Sequence, residues 1–135
     1  MEGAERRKKI LVVDDELDLT KILRISLEAQ GFEVIVASDG QNGLAKAREE
    51  KPDLIILDLM LPRIDGYRVC RLLKFDERFR NIPIIMLTAR IQETDKKLSL
   101  EMGADSFIPK PYDFARLTET VGILLSAPSK VSETR

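Results

Sequence analysis

Charged and hydroxyl side chains follow directly after several short apolar runs of this chain. Asp14 and Asp15 follow the first run, Asp58 follows the third, and Thr88 and Lys110 follow the fourth and fifth. Three carboxylates in one cleft repel one another, and a hard cation such as Mg2+ is the simplest way to keep them ionised. Together with an ammonium and a hydroxyl, this set is suited to phosphoryl transfer. A carboxylate is then the plausible nucleophile, because carboxylates form aspartyl phosphates.

The apolar runs themselves predict five short strands, each followed by a helix. The strand segments are residues 10–13, 34–36, 54–57, 83–87 and 106–108. Helical spacing predicts helices before Gly31, over residues 40–51, 67–75 and 93–102, and after Asp113. Continuously apolar strands are buried on both faces, which predicts an α/β fold with a doubly wound five-stranded parallel sheet. Ligands of such sheets bind beyond the carboxyl ends of the strands, where the candidate residues lie.

The third predicted helix carries expectations about single residues. Val69, Leu72 and Leu73 are expected to face the core, and Cys70 is expected to be a small core residue. The Asp65-Gly66 pair is expected to form the turn at which this helix begins.

Composition excludes several classes of function. The chain has 135 residues, which suits one domain, and it contains no His and one Cys. These counts exclude His-dependent catalysis, His-ligated metals, a phosphohistidine carrier, an internal disulfide and a multi-Cys zinc site. A formal charge of −1 gives no global electrostatic case for nucleic-acid binding.

The sequence also predicts where the domain begins and ends. Residues 8–126 are expected to form the domain, residues 1–7 a charged lead-in, and residues 127–135 a tail or the stump of a linker. No apolar run approaches the roughly 20 residues of a membrane span, and the start of the chain does not resemble a signal peptide. We therefore expect a cytoplasmic protein that makes no contact with a membrane.

Four motifs, taken in order, resemble the receiver domain of two-component response regulators, the CheY-like family. They are residues 10–16 (ILVVDDE), 52–62 (PDLIILDLMLP) with Asp65-Gly66, 82–89 (IPIIMLTA) and 103–111 (GADSFIPKP). The resemblance covers residues 8–125. It implies a flavodoxin-like fold with the strand order 2-1-3-4-5.

The resemblance also implies a phosphorylation site that uses Mg2+. Asp58 is implied to accept a phosphoryl group from a phosphohistidine on a sensor histidine kinase or phosphotransfer protein. Asp15 and Asp58 are implied to bind Mg2+ directly, together with the backbone carbonyl of Met60. Asp14 is implied to hold the metal through water.

A switch is implied by the same resemblance. Lys110 would pair with the phosphoryl group, and Thr88 would move toward it. Phe107 would turn inward as Thr88 moves, which passes the change to a distant face. The Lys110–Pro111 bond is implied to be cis.

The expected partners follow from this reading. Besides the kinase, they are an output domain or effector protein, with no direct contact between this domain and nucleic acid. A homodimer is a further possibility, through the face formed by the predicted helix over 93–102, the fifth strand and the last helix. The charged residues of that face are Lys96, Lys97, Asp105, Arg116 and Glu119.

Two other classes of function are alternatives to the phosphorylation switch. A hydrolase of the haloacid dehalogenase type needs a second Asp two positions after the nucleophile, and this chain has Met60 there, which argues against turnover of outside substrates. A phosphorylation-independent interaction module with a relict pocket is the other, although every acidic position of the pocket is intact. A nucleotide- or flavin-binding site is disfavoured because no glycine-rich loop follows the first strand.

Overall fold

The computed structural model describes residues 7–88, 97, 101 and 103–126, in which a five-stranded sheet is covered by helices on both faces. The strands are β1 (Lys9–Val13), β2 (Glu33–Ala37), β3 (Leu54–Asp58), β4 (Ile84–Thr88) and β5 (Ser106–Pro109). The described helices are α1 (Leu17–Ala29), α2 (Gly40–Glu50), α3 (Gly66–Lys74) and α4 (Phe114–Ser126). All neighbouring strands are parallel, in the order β2-β1-β3-β4-β5, which confirms the predicted topology.

Some of the expected segments lie outside the described residues. The helix expected over residues 93–102 does so except for residues 97 and 101, and so do residues 1–6 and the tail 127–135. Within the described part of the chain, no helix is long and apolar enough to cross a membrane.

Alternate side chains of the buried strands pack into two separate cores, one on each face of the sheet. On one face, strand residues such as Leu11 and Ile55 pack with buried side chains of α2 and α3. On the other face, strand residues such as Val12 and Ile56 pack with α1 and α4. Double burial explains why the strands are continuously apolar. Packing on both faces fixes the carboxyl ends of the strands at one edge of the sheet.

Most of the predicted helix ends are present in the structure. Gly31 follows α1 with a φ of 98°, a conformation that glycine adopts without strain. Lys51 ends α2 in the left-handed region, and so lies outside the right-handed helical region that Pro52 disfavours in the residue before it. The carboxylate of Asp65 accepts a hydrogen bond from the Arg68 N–H and caps α3.

The phase of α3 was predicted with one error. Val69, Cys70 and Leu73 are buried as expected, but Leu72 is exposed. Residues three and four apart share a helix face, so Val69, Cys70 and Leu73 form one stripe and Leu72 falls beside it.

Cys70 is expected to react slowly with thiol reagents in the folded protein. Its side chain is fully buried, and burial raises the pKa of the thiol to about 11, so less thiolate is present at pH 8 than in an exposed cysteine. We expect alkylation by iodoacetamide at pH 8, followed by intact mass, to be on the order of 100-fold slower in buffer than in guanidinium chloride. Equal rates in the two solvents would contradict this prediction.

Candidate functional site

The ends of β1, β3, β4 and β5 bring four of the predicted residues to one edge of the sheet. Asp58 and Thr88 are the last residues of β3 and β4, whereas Asp14 and Lys110 directly follow β1 and β5. The main chain ties these ends together, because the Lys110 N–H donates to the Thr88 carbonyl at 2.6 Å. The position of each functional side chain is therefore set by the sheet register.

The ammonium of Lys110 lies between three carboxylates. Its Nζ is 2.9 Å from an Asp14 oxygen and 3.2 Å from an Asp58 oxygen, and it also pairs with Glu16. The Lys110 side chain is only 9% exposed, so its contacts with the buried carboxylates of Asp14 and Asp58 are shielded from water. Burial disfavours the charged form, but hydrogen bonds to Glu16 and Asp14 outweigh it and raise the pKa of Lys110. The Lys110–Pro111 bond is cis, as expected.

Asp58 is a buried carboxylate with donors on both oxygens. Its Oδ1 accepts the Met60 N–H at 3.0 Å, and its Oδ2 accepts from Lys110. The pKa of Asp58 is raised from 3.8 to about 6, because burial and the charge of Asp14 outweigh the Met60 N–H and Lys110, which lower it. Asp58 is therefore largely ionised at pH 7, in an environment that favours neutralisation of its charge.

Glu16 belongs to this cluster, and the sequence reasoning did not single it out. One carboxylate oxygen from each of Asp14, Glu16 and Asp58 lies within 4.8 Å of the others. Glu16 also donates its N–H to Asp14 Oδ1 at 2.9 Å. The available signal was the third acid in the run Asp14-Asp15-Glu16, directly after an apolar strand.

Asp15 lies outside that group of three carboxylates. It lines an adjacent cavity of about 510 Å³ that also contains Thr88 and Met60. The remaining lining residues are Leu59, Leu61, Pro62, Asp65 and Tyr67. The predicted ligands are thus divided between a cluster around Lys110 and the wall of this cavity. The roles assigned to Asp15 and to the Met60 carbonyl stay predictions.

Two further predicted residues have different surroundings. Phe107 is partly buried against the core that contains α2 and α3, next to Met86 in the β4–β5 register. The Asp105 side chain is only 4% exposed and pairs with Lys74 at 3.0 Å, so it does not offer an exposed charge to a second subunit. Of the other charges on the proposed dimer face, Lys97, Arg116 and Glu119 are exposed.

The residues of this edge fit a Mg2+ ion. Four carboxylates, those of Asp14, Asp15, Glu16 and Asp58, lie in or beside the site, and the ammonium of Lys110 contacts all of them but Asp15. The excess of negative charge and the hard oxygen donors match the preference of Mg2+ for one or two carboxylates plus waters. The adjacent cavity is large enough for those waters.

Comparisons of the chain with known proteins identify its relatives. The family model described as "Response regulator receiver domain" matches residues 10–122. The chain is 48% identical over 118 residues to the alkaline phosphatase synthesis transcriptional regulatory protein PhoP of Bacillus subtilis, covering 87% of this chain and 48% of that protein. It is 41% identical to the DNA-binding dual master transcriptional regulator RpaA of Synechocystis, covering 93% and 52%. The chain thus spans about half the length of these relatives.

Solved structures support the same relationship. A putative response regulator from Chloroflexus aurantiacus superposes with a TM-score of 0.85 at 31% identity, covering 90% of this chain and all of that one. The receiver domain of a sensor histidine kinase from Pseudomonas aeruginosa, with a magnesium ion coordinated in its active-site cleft, superposes with a TM-score of 0.83 at 28% identity over the same shares. The family model that matches residues 10–122 and the identity to these relatives show that the chain belongs to the family of response regulator receiver domains of two-component signalling.

Proposed function

We propose that this receiver domain accepts a phosphoryl group on Asp58 from a phosphohistidine of a sensor histidine kinase or phosphotransfer protein. The observation that carries the proposal is the placement of Asp58. It lies buried at the end of β3, with Lys110 at 3.2 Å and with Asp14 held by the same ammonium. A nucleophilic carboxylate, a fixed cation and a cluster of acids are the groups that aspartyl phosphorylation requires.

The transfer itself requires little chemistry from the protein. An oxygen of the ionised Asp58 attacks phosphorus, and a P–O bond forms while the P–N bond to the donor imidazole breaks. The imidazole nitrogen keeps the electron pair of the broken bond. Lys110 stabilises the negative charge that remains on the phosphoryl oxygens, since its ammonium already lies against the nucleophile.

Asp14, Asp15 and Asp58, with the Met60 carbonyl, are the residues that would hold Mg2+. When bound, Mg2+ neutralises charge on the transferring phosphoryl oxygens and lets the donor approach an acidic site. Glu16 adds a carboxylate that competes with the phosphoryl group for Lys110. We infer that Lys110 exchanges the Glu16 and Asp14 carboxylates for the phosphoryl oxygens on phosphorylation.

The positions of Thr88 and Phe107 support the proposed switch step. Thr88 lines the cavity beside Asp58, and Phe107 lies on the neighbouring strand with its ring partly exposed. Movement of the Thr88 hydroxyl toward a phosphoryl oxygen vacates space on the Phe107 side. The ring then turns inward and changes the surface at β5. A partner protein that binds this surface can thereby distinguish the phosphorylated from the unphosphorylated domain.

We further propose that the domain is a signalling switch without turnover of outside substrates. Residue 60 is Met, with an exposed side chain, where a phosphatase of the haloacid dehalogenase type has its acid–base Asp. The receiver unit is taken as residues 8–126, between a lead-in and a tail or linker. The chain matches about half of PhoP and of RpaA, whose names describe transcriptional regulators, and this similarity supports an output segment that acts on DNA as the partner of this receiver. We propose that the receiver acts in the cytoplasm.

The experiment that tests the proposal is intact-protein mass after incubation with acetyl phosphate. With Mg2+ we expect the gain of one phosphoryl group, and with EDTA we expect none. Asp58→Asn removes the nucleophilic oxygen and is expected to abolish the gain. The matched control is Asp76→Asn, which makes the same change just beyond the C-terminal end of α3, away from the site. This variant is expected to retain the gain.

Two results would count against the proposal. An equal gain in Asp58→Asn would place the acceptor on another residue. If the parent gains nothing, Mg2+ with beryllofluoride provides a second measurement, because this complex mimics the phosphoryl group without turnover. Failure of both would favour the phosphorylation-independent interaction module.

A further inference from the structure

Tyr112 carries a buried hydroxyl that has no hydrogen-bond partner in the structure. Among the described residues, it is the buried side-chain nitrogen or oxygen atom for which no hydrogen-bond partner is found. The ring packs edge-to-face on Phe114, with centroids 5.2 Å apart, and lies against the core that contains α1 and α4. A phenylalanine would supply the same packing, and an unsatisfied buried hydroxyl is destabilising. We therefore expect the hydroxyl to donate a hydrogen bond in another state of the protein.

The nearest charged groups are those of the acidic site. Tyr112 is two residues from Lys110, whose ammonium contacts Asp14, Glu16 and Asp58. Two residues of chain span at most about 7 Å, so the Tyr112 main chain lies beside that of Lys110 at the edge of this cluster. The pKa of Tyr112 is raised to about 12, chiefly by burial, and the charges of Asp14, Glu16 and Asp58 act in the same direction while Lys110 opposes them.

The carboxylate oxygens of the cluster already have donors in this arrangement. Backbone N–H groups donate hydrogen bonds to Oδ1 of Asp14 and Oδ1 of Asp58. The Lys110 ammonium contacts the other oxygen of each carboxylate and one oxygen of Glu16. A divalent cation that shares these oxygens competes with Lys110 and brings ordered waters, so that new acceptor positions arise.

We propose that Tyr112 is a positioning residue of the Mg2+ site, whose hydroxyl donates a hydrogen bond to an oxygen of the acidic cluster or to an ordered water when Mg2+ is bound. The donated bond fixes the orientation of its acceptor in the loaded site. This inference rests on the proposed Mg2+ binding, and it assigns to the tyrosine a contribution that forms only in the loaded state.

The test compares Tyr112→Phe with the parent protein in two measurements, the melting temperature without Mg2+ and the Kd for Mg2+ by calorimetry. Because the variant removes an unsatisfied hydroxyl and keeps the ring, we expect its melting temperature in EDTA to be equal to or above that of the parent. We expect its Kd for Mg2+ to be about 3- to 10-fold weaker, the usual effect of losing one hydrogen bond. Thr120→Val, which removes a hydroxyl that donates to the Arg116 carbonyl within α4, is the control and is expected to retain the parent affinity.

Fluorescence gives an independent readout of the same hydroxyl. The chain has two tyrosines and no tryptophan, so Tyr67→Phe leaves Tyr112 as its single strong fluorophore. We expect Mg2+ to change the emission of this variant, with the same Kd that calorimetry gives for the same variant.

The outcomes separate this inference from the function on which it rests. A parent that binds no Mg2+ overturns both. A parent that binds Mg2+ while Tyr112→Phe binds it equally well, or Tyr112 emission that does not respond to Mg2+, overturns only the role of Tyr112. A variant that melts lower in EDTA and has an unchanged Kd assigns the hydroxyl to stability alone and also overturns it.

Discussion

Replacing Asp105 with alanine is expected to lower the free energy of unfolding by about 3–5 kcal/mol, because it leaves the Lys74 ammonium buried without its counter-ion. The Lys74 and Asp105 side chains are 8% and 4% exposed, and their charged atoms are 3.0 Å apart. Asp105 also accepts the Ile84 N–H at 2.8 Å, so the variant orphans a backbone donor at the start of β4. Lys74 keeps its hydrogen bonds to the carbonyls of Arg80 and Ile82, which do not neutralise its charge.

Burial, and not the distance between the charges, determines this expectation. Arg78 and Asp76 form a shorter pair, at 2.8 Å, but the Arg78 side chain is 70% exposed. Arg78→Ala is therefore the matched control, with an expected loss below about 1 kcal/mol. Urea denaturation of both variants gives the comparison, and similar losses would contradict it. We expect Lys74→Met/Asp105→Ala to lose less than the sum of its single variants, because neither partner is then left charged and alone.

The positions of the main site residues could be predicted from sequence because the sheet is parallel and buried on both faces. In such a sheet each strand is a continuous apolar run, so the residue that follows the run is a residue of the binding edge. Asp14, Asp58, Thr88 and Lys110 were found in this way, and the structure places them together. The strand order came from the resemblance, since apolar runs alone do not distinguish among doubly wound orders.

Side-chain placement was harder to predict where it depends on distant parts of the chain. Glu16 reaches Lys110 across 94 positions of sequence, and that contact depends on how α1 begins and where β5 ends. Asp105 was interpreted as a surface charge because a sequence does not reveal that α3 places Lys74 beside it. Leu72 is exposed where a core position was expected, because the exact phase of a nine-residue helix is weakly determined by so few apolar residues.

A methyl group at Gly66 is expected to damage both the fold and the phosphorylation site. A Cβ at this first residue of α3 would lie 2.3 Å from the Asp58 carbonyl oxygen and 2.7 Å from the Leu59 Cα, and both atoms belong to the main chain. The backbone that carries the acceptor must therefore move. We expect Gly66→Ala to cost about 2–3 kcal/mol in the free energy of unfolding, in the range of overpacked cores. Displacement of a reacting group by about 1 Å lowers rates on the order of 100-fold, so phosphorylation is expected to slow by a similar factor.

The matched control for this effect is Gly122→Ala in α4, where nothing lies within 4 Å of the added Cβ. Alanine is the better helix former by about 1 kcal/mol, so this variant is expected to be as stable as the parent or more stable, with an unchanged phosphorylation rate. The rate is measured with acetyl phosphate at a temperature where denaturation curves show both variants to be folded, which separates misplacement of Asp58 from unfolding. A folded Gly66→Ala that is phosphorylated as fast as Gly122→Ala would show that the end of β3 adjusts without moving the acceptor. In that case the close approach of α3 to Asp58 would be a packing feature, unconnected to the chemistry of the site.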